Sequence, residues 1–242
     1  MTLPPALDLP DLSRLPPQRL KSMRAAGEEV VECVRVLSKT GGNLVAEVLR
    51  GQGPFYEWDH YPAGDVFDPD THAQYYYHAH RGNDAEHGHF HTFLHRRGMP
   101  PGIRPLLPGG TDDADLSHLV GIAMDPYGEP IRLFCTNRWV TGETWYRAAD
   151  VITLLDRFVI DHAYPSWPLN RWLGAMVRLF QPQIIALIRH RDAVIAAWGW
   201  THPGRDTFED PELEITGALD ISVSAQIGAV RTALALAGLT ND

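Results

Sequence analysis

A histidine-rich segment at residues 72–95 constrains the fold of this chain more than any other feature. Its first half reads Ala73-Gln-Tyr-Tyr-Tyr-His-Ala-His-Arg81 and its second half reads His87-Gly-His-Phe-His-Thr-Phe-Leu94. The polar stretch Gly82-Asn-Asp-Ala-Glu86 separates the two halves. Two runs rich in aromatic residues, joined by a polar turn, are typical of an antiparallel hairpin. The segment therefore predicts two neighbouring strands.

The histidines of this hairpin follow the alternation of a strand. Seven of the twelve histidines in the chain fall in the segment: His72, His78, His80, His87, His89, His91 and His95. Successive side chains in a strand point to opposite faces of the sheet. His78 and His80 therefore share one face of the first strand, and the residues at 87, 89 and 91 share one face of the second.

The register of the hairpin decides whether these two sets of histidines lie on the same side. Directly opposed residues in an antiparallel pair project from the same face. If His80 opposes His87, then His78 opposes His89 and Tyr76 opposes His91. All five imidazoles then lie on one face, and the other face is apolar. A slip of one residue would divide them between both faces, and because hydrophobic patterning sets register, we favour the first arrangement.

Five imidazoles on one face indicate a transition-metal site. Buried imidazoles without partners would be costly, whereas a bound ion would satisfy them. Zinc and non-haem iron sites of this type keep a position open for water or substrate. We expect His78, His80 and His89 to be the first ligands, then His87, with His91 as a further candidate.

Three further residues are candidates for catalysis. Glu86 could act as a ligand or as a general base on water. Tyr76 could donate a hydrogen bond to the ligands. Arg138, in the segment Asn137-Arg-Trp-Val-Thr-Gly-Glu-Thr-Trp145 that follows a predicted strand, could hold a substrate carboxylate or phosphate. The preceding segment Trp58-Asp-His-Tyr-Pro-Ala-Gly-Asp65 could also bring His60 or an aspartate to the site.

These residues support three functional interpretations. The first is an enzyme that uses zinc or iron to act on a small molecule, as a hydrolase or an oxidoreductase. The second is a non-catalytic binding module whose histidines make association sensitive to pH. The third is a metal-free enzyme in which histidine and Glu86 exchange protons with the substrate.

The hairpin also resembles known sequences. Gln74-Tyr-Tyr-Tyr-His-Ala-His-Arg81 with Glu86-His-Gly-His-Phe-His91 resembles a family of uncharacterised bacterial proteins, a resemblance that implies a bacterial origin and no particular activity. The His-x-His strand is similar to the ligand strands of cupins and of α-type carbonic anhydrases. The glycines and glutamate of the cupin pattern are missing around His78 and His80, so the similarity is one of ligand geometry alone.

Composition narrows the classes of partner. The net charge of −9 argues against nucleic acid and against anionic membrane surfaces. Cys33 and Cys135 are expected to be buried, reduced thiols. No apolar run approaches the roughly 18 residues that cross a membrane, and residues 1–5 lack a secretory pattern, so we expect a cytoplasmic protein.

The rest of the chain predicts an α+β domain with an antiparallel sheet of about four strands in two hairpins. Residues 1–16 are expected to form an extended Pro-rich arm that lies on the domain or, as a homodimer contact, on a partner subunit. Residues 17–242 are expected to form one domain, with helices at 17–50, a β region at 70–145 and helices at 148–238. The second hairpin is predicted from Leu119 to Met124 and from Pro130 to Asn137, with a type I turn between them. Residues 51–70 are expected to be an ordered loop.

Overall fold

A computed structural model describes residues 6–80, 85–109 and 115–239 of the chain. Six strands within these ranges form one antiparallel sheet in the order β1-β2-β3-β4-β5-β6, so each strand pairs with its neighbours in the sequence. The strands are β1 (Tyr61–Phe67), β2 (Ala73–His78), β3 (Gly88–His95), β4 (Leu116–Met124), β5 (Pro130–Thr136) and β6 (Ile215–Asp220).

The α+β class and the antiparallel sheet are confirmed, whereas the number of strands is higher than predicted. Strand β1 lies in the segment expected to be a loop, and strand β6 lies after the long C-terminal helices. The alternation of β1 is obscured because its register shifts between Tyr61 and Val66. Strand β6 lies inside the region 148–238 that was expected to be helical, and its last residue, Asp220, forms an ion pair with Arg132 of β5 at 2.8 Å. The edge strands were thus missed for two reasons: the alternation of β1 is interrupted, and β6 pairs with a strand distant in sequence.

Seven helices are present in the described ranges. They are α1 (Pro17–Ser38), α2 (Leu44–Leu49), α3 (Arg138–Thr141), α4 (Ala148–Leu154), α5 (Trp167–Leu179), α6 (Gln181–Thr201) and α7 (Val223–Leu236). Local signals set several ends: prolines occupy the first turns of α1, α5 and α6, and the Ser222 side chain accepts a hydrogen bond from the Ala225 N–H at the start of α7. No helix in the described part of the chain is both long enough and apolar enough to cross a membrane.

The main hydrophobic core lies between the helices and one face of the sheet. Tyr75 and Phe90 point into this core, where the Phe90 ring lies 6.1 Å from that of Trp172 on α5. The Tyr75 hydroxyl donates a hydrogen bond to Asn170 Oδ1 at 2.6 Å. Because neighbouring residues alternate, Tyr76, His78, His89 and His91 must project from the opposite face.

The described part of the predicted N-terminal arm, residues 6–16, contacts the rest of the chain. Leu7, Leu12 and Leu15 pack against the main core. Ala6 and Pro10 line a surface cavity of about 520 Å³ together with residues of α6, including Ile185. Residues 1–5 of the predicted arm lie outside the described residues, and a homodimer through the arm remains a prediction.

Candidate metal centre

The register of the β2–β3 pair is the one favoured by the sequence pattern. His78 pairs with His89, and Tyr76 pairs with His91. Pairing with the next strands extends both positions across the sheet. His91 pairs with Gly121 of β4, which pairs with Phe134 of β5, and His89 pairs with Ala123 of β4. The imidazoles of β2 and β3 therefore project together from the face away from the main core.

Three of these imidazoles converge. His78, His89 and His91 each offer a ring nitrogen, and the three atoms lie within 4.8 Å of one another. The Nε2 atoms of His78 and His89 are 2.8 Å apart. Nitrogen ligands of a tetrahedral zinc ion, with bonds of 2.0–2.1 Å, are separated by about 3.3 Å. The histidines thus approach the spacing that a metal ion requires.

Glu86 fixes the orientation of His89. The Nδ1 atom of His89 lies 2.7 Å from Glu86 Oε1, and both side chains are almost completely buried. Because a carboxylate accepts hydrogen bonds, Nδ1 carries the ring proton and donates the hydrogen bond to Glu86. The Nε2 atom is then the one that faces His78. A carboxylate behind a histidine is the common support for a metal-binding imidazole. Glu86 therefore serves His89 as a positioning group in this geometry.

His118 occupies the equivalent place behind His91. The Nδ1 atom of His91 lies 3.0 Å from Nε2 of His118 on β4. Burial lowers the pKa of His118 to about 3, so this ring is neutral and can accept a hydrogen bond from His91. With the Nδ1 proton of His91 directed at His118, the Nε2 atom of His91 is the one available to an ion.

His118 was missed as a part of the site. The sequence pattern placed His118 just before a strand beginning at Leu119, but β4 begins at Leu116 and includes it. A register shift between Thr92 and Phe93 then pairs His118 with Phe93. Starting the predicted strand at Leu116 instead of Leu119 would have included His118 in β4.

Glu143 lies behind His118. It is fully buried and accepts a hydrogen bond from the backbone N–H of His118 at 2.6 Å. Burial raises its pKa to about 7, against the opposing effect of Arg191. Glu143 therefore helps to fix the strand segment that carries His118.

Phe134 closes the site on the side of β5. Its ring centroid lies 5.2 Å from that of His89 and 5.6 Å from that of His91. Gly121 makes this approach feasible, because a Cβ there would lie 2.3 Å from the nearest Phe134 ring carbon. The glycine therefore allows an apolar ring to cover the histidines from β5.

His80 borders the three converging histidines. Its ring centroid lies 4.8 Å from that of His78 and 5.1 Å from that of His89, and its side chain is partly exposed. The structure thus substitutes His91 for His80 in the most compact set of three. His80 remains a neighbour that could join a coordination sphere.

His87 does not lie with the others, so the expected common face of five imidazoles is wrong at this position. Strand β3 begins at Gly88, and the alternation therefore does not extend to His87. Its Nδ1 atom lies 2.6 Å from the hydroxyl of Tyr77, a residue of the main core, and Phe55 contacts its ring. Gly88 leaves room for this contact, because a Cβ there would lie 2.6 Å from the Tyr77 hydroxyl.

The other candidate catalytic residues differ in their distance from the cluster. Tyr76 is buried with its ring centroid 5.2 Å from those of both His78 and His91. Burial raises the pKa of its hydroxyl well above the usual value. Arg138, on α3, forms an ion pair with Glu209 and donates a hydrogen bond to the Pro108 carbonyl at 2.7 Å. The structure therefore joins Tyr76 to the histidines and holds Arg138 by other partners.

His60 joins the site from the segment before β1. Its ring stacks on Tyr76 with centroids 3.6 Å apart, and its Nδ1 atom lies 3.0 Å from Asp65 Oδ1. The sequence pattern had included His60 and an aspartate of this segment among the residues that could reach the site. The contact with Tyr76 brings His60 to the partly exposed edge of the cluster.

Comparison with known proteins identifies a family without a known activity. No curated protein and no solved structure matches the chain. The sequence profile of the family described as Domain of unknown function (DUF6969) matches residues 24–221, which include every histidine of the cluster. The uncharacterised family expected from the hairpin is thus confirmed, and the chain belongs to the DUF6969 family.

Proposed function

We propose that this protein is a metal-dependent enzyme that acts on a small molecule, with His78, His89 and His91 as the metal ligands. The observation that carries the proposal is the convergence of three buried imidazoles from paired strands. Two of them, His89 and His91, have their Nδ1 atoms held by Glu86 and His118, which leaves their Nε2 atoms as the ligand atoms. Three protein ligands are typical of a catalytic zinc site, which keeps another position open.

The donor set favours zinc or non-haem iron. Imidazole nitrogens bind both metals well, whereas calcium and magnesium prefer oxygen ligands. Zinc would supply a Lewis acid that lowers the pKa of bound water to about 7, and iron would supply oxygen chemistry. In either case Glu86 and His118 orient the ligands, while Phe134 and Tyr76 limit the access of water.

A metal-free acid–base site is the second candidate, and the distance between the His78 and His89 rings supports it. The 2.8 Å separation of the His78 and His89 Nε2 atoms also fits a hydrogen bond between the rings. Together with Glu86, this would form a chain of three groups that share protons. The two candidates differ in one measurable property, the binding of a transition metal.

Metal analysis of protein purified without an affinity tag tests the proposal. We expect close to one equivalent of zinc or iron, either as purified or after reconstitution. His89→Ala should lose this metal, because it removes one of the converging ligands. His95→Ala is the matched control, since His95 lies on the same strand outside the cluster and should keep the metal.

His80→Ala separates the structural ligand set from the one expected from the sequence alone. The three-histidine set predicts that this variant retains most of the metal, whereas a set containing His80 predicts its loss. Less than about 0.1 equivalent of any transition metal in the reconstituted wild type would refute the metal site. Activity persisting in such metal-free protein would favour the acid–base alternative.

A further inference from the structure

Two stacked pairs of rings lie at the partly exposed edge of the metal centre. The first is Trp58 on His80, with centroids 4.5 Å apart and planes inclined by 21°. The second is His60 on Tyr76, with centroids 3.6 Å apart and planes inclined by 9°. Trp58 and His60 both belong to the short segment before β1, so one piece of chain supplies the outer ring of each stack.

The two stacks lie on either side of His78. The His80 ring is 4.8 Å from the His78 ring at an angle of 67°, and the Tyr76 ring is 5.2 Å away at 84°. The inner ring of each stack thus meets His78 edge-on. A proposed metal ligand therefore lies between two ring stacks whose outer members are exposed.

Trp58 is held in place although most of its surface faces solvent. The residue is 67% exposed, and its backbone has a φ of +74°, a conformation that is unfavourable for a residue with a large side chain. Its N–H donates a hydrogen bond to the Ala79 carbonyl at 3.0 Å, which ties the segment to the end of β2. Core packing does not account for an exposed indole in this unfavourable conformation, and residues in such conformations cluster at binding sites.

We propose that this edge of the site recognises a flat unsaturated ring in the substrate, with Trp58 as its principal stacking contact. The inference rests on the proposed metal-dependent function and adds the class of substrate: an aromatic or heteroaromatic molecule with an oxygen or nitrogen atom that reaches the metal. Offset or edge-to-face contact with exposed rings favours such a ligand over an aliphatic one of similar size. Trp58 is a specificity-determining residue in this proposal.

Two hydroxamates test the proposal, because they carry the same metal-binding group and differ in the ring. Cyclohexanecarbohydroxamate has a saturated ring of similar size where benzohydroxamate has a flat phenyl ring. Titration calorimetry with the zinc-loaded full chain should give an affinity about tenfold higher for benzohydroxamate. In Trp58→Ala we expect this ratio to fall to about twofold, because the affinity for benzohydroxamate falls more than that for its saturated analogue.

The matched control is Trp200→Ala, which removes an even more exposed indole from α6 and should leave the ratio at about tenfold. Trp58→Phe should keep part of the preference, because it retains a ring. Equal affinities of the wild type for the two hydroxamates, or an unchanged ratio in Trp58→Ala, would overturn the proposal. If neither compound binds because the protein takes up no metal, the proposed function fails and this inference fails with it; metal stoichiometry measured on the same samples identifies that case.

Discussion

On one face of the β2–β3 pair, Tyr75 and Phe90 project into the main core, and on the other face His89 and His91 project into the candidate metal centre. All four side chains have essentially no exposed surface. On the core face, apolar contacts dominate and the Tyr75 hydroxyl has a partner in Asn170. On the site face, each imidazole is directed by a second polar group, Glu86 or His118.

The difference shows that equal burial has different energetic consequences on the two faces. Burial of apolar rings stabilises the fold through the loss of apolar surface from water. Burial of imidazoles weakens the fold unless hydrogen bonds or a metal ion satisfy the ring nitrogens. We therefore expect substitutions on the core face to act on stability, and substitutions on the site face to act chiefly on metal binding and on pH dependence.

The largest expected effect is on the core face. Phe90→Ala should lower the free energy of unfolding by about 3–5 kcal/mol, because it leaves a cavity among Tyr75, Tyr77 and Trp172. Urea denaturation of the metal-free protein measures this change in the free energy of unfolding. The control is Phe67→Ala, which removes a ring that is 43% exposed and should have a much smaller effect. Similar losses in both variants would contradict the assignment of Phe90 to the core.

The next effect concerns the buried carboxyl group behind the site. The pKa of Glu143 is raised to about 7 by burial, so the folded protein binds a proton that the unfolded chain releases near pH 4.5. The stability contributed by the protonated form is present below pH 4.5 and is lost as the pH rises to about 7. A pKa shift of this size corresponds to a decrease of up to about 3 kcal/mol in the free energy of unfolding between these pH values.

Glu143→Gln should remove this pH dependence, because the amide can still accept the His118 N–H bond but does not ionise. The difference in unfolding free energy between the variant and the wild type, measured from pH 4.5 to 8, should shift in favour of the variant as the pH rises. A difference that is constant over this range would show that Glu143 does not titrate there.

The third effect tests the close contact that covers the histidines. Gly121→Ala places a Cβ into the ring of Phe134 and should destabilise the protein by about 1–3 kcal/mol. Because Phe134 contacts His89 and His91, metal affinity should fall as well. Gly228→Ala on α7 is the control: a Cβ there meets no atom within 4 Å, and the change should be neutral or slightly stabilising. Unchanged stability and metal affinity in Gly121→Ala would show that the ring can move aside freely.

The smallest effect on stability is expected from Glu86→Gln, which keeps the size of the group behind His89. Loss of the carboxylate should weaken metal binding by about tenfold to a hundredfold, as expected for a group that orients a ligand. Competition with a chromogenic chelator measures this affinity. His95→Ala serves again as the control. An unchanged affinity in Glu86→Gln would indicate that the Glu86–His89 contact does not support the ligand.

The hairpin was predictable because both of its signals are local. Alternation placed His78, His89 and His91 on one face, and the apolar pattern of Tyr75, Tyr77 and Phe90 set the register. The same alternation was extended one residue too far at His87, where the strand has not yet begun. Strand ends depend on hydrogen bonds with neighbouring strands, which the sequence pattern does not specify.

The histidine residue types and their alternation are properties of the sequence, and they were sufficient to indicate a hairpin that gathers histidines on one face. Only the tertiary structure brought His118 behind His91, Phe134 across Gly121 and His60 onto Tyr76. These contacts join residues from different strands and loops, and they depend on sheet order, a register shift and the space left by a glycine. Local alternation fixes the direction of a side chain within its strand, whereas the packing of the whole sheet decides which side chains meet.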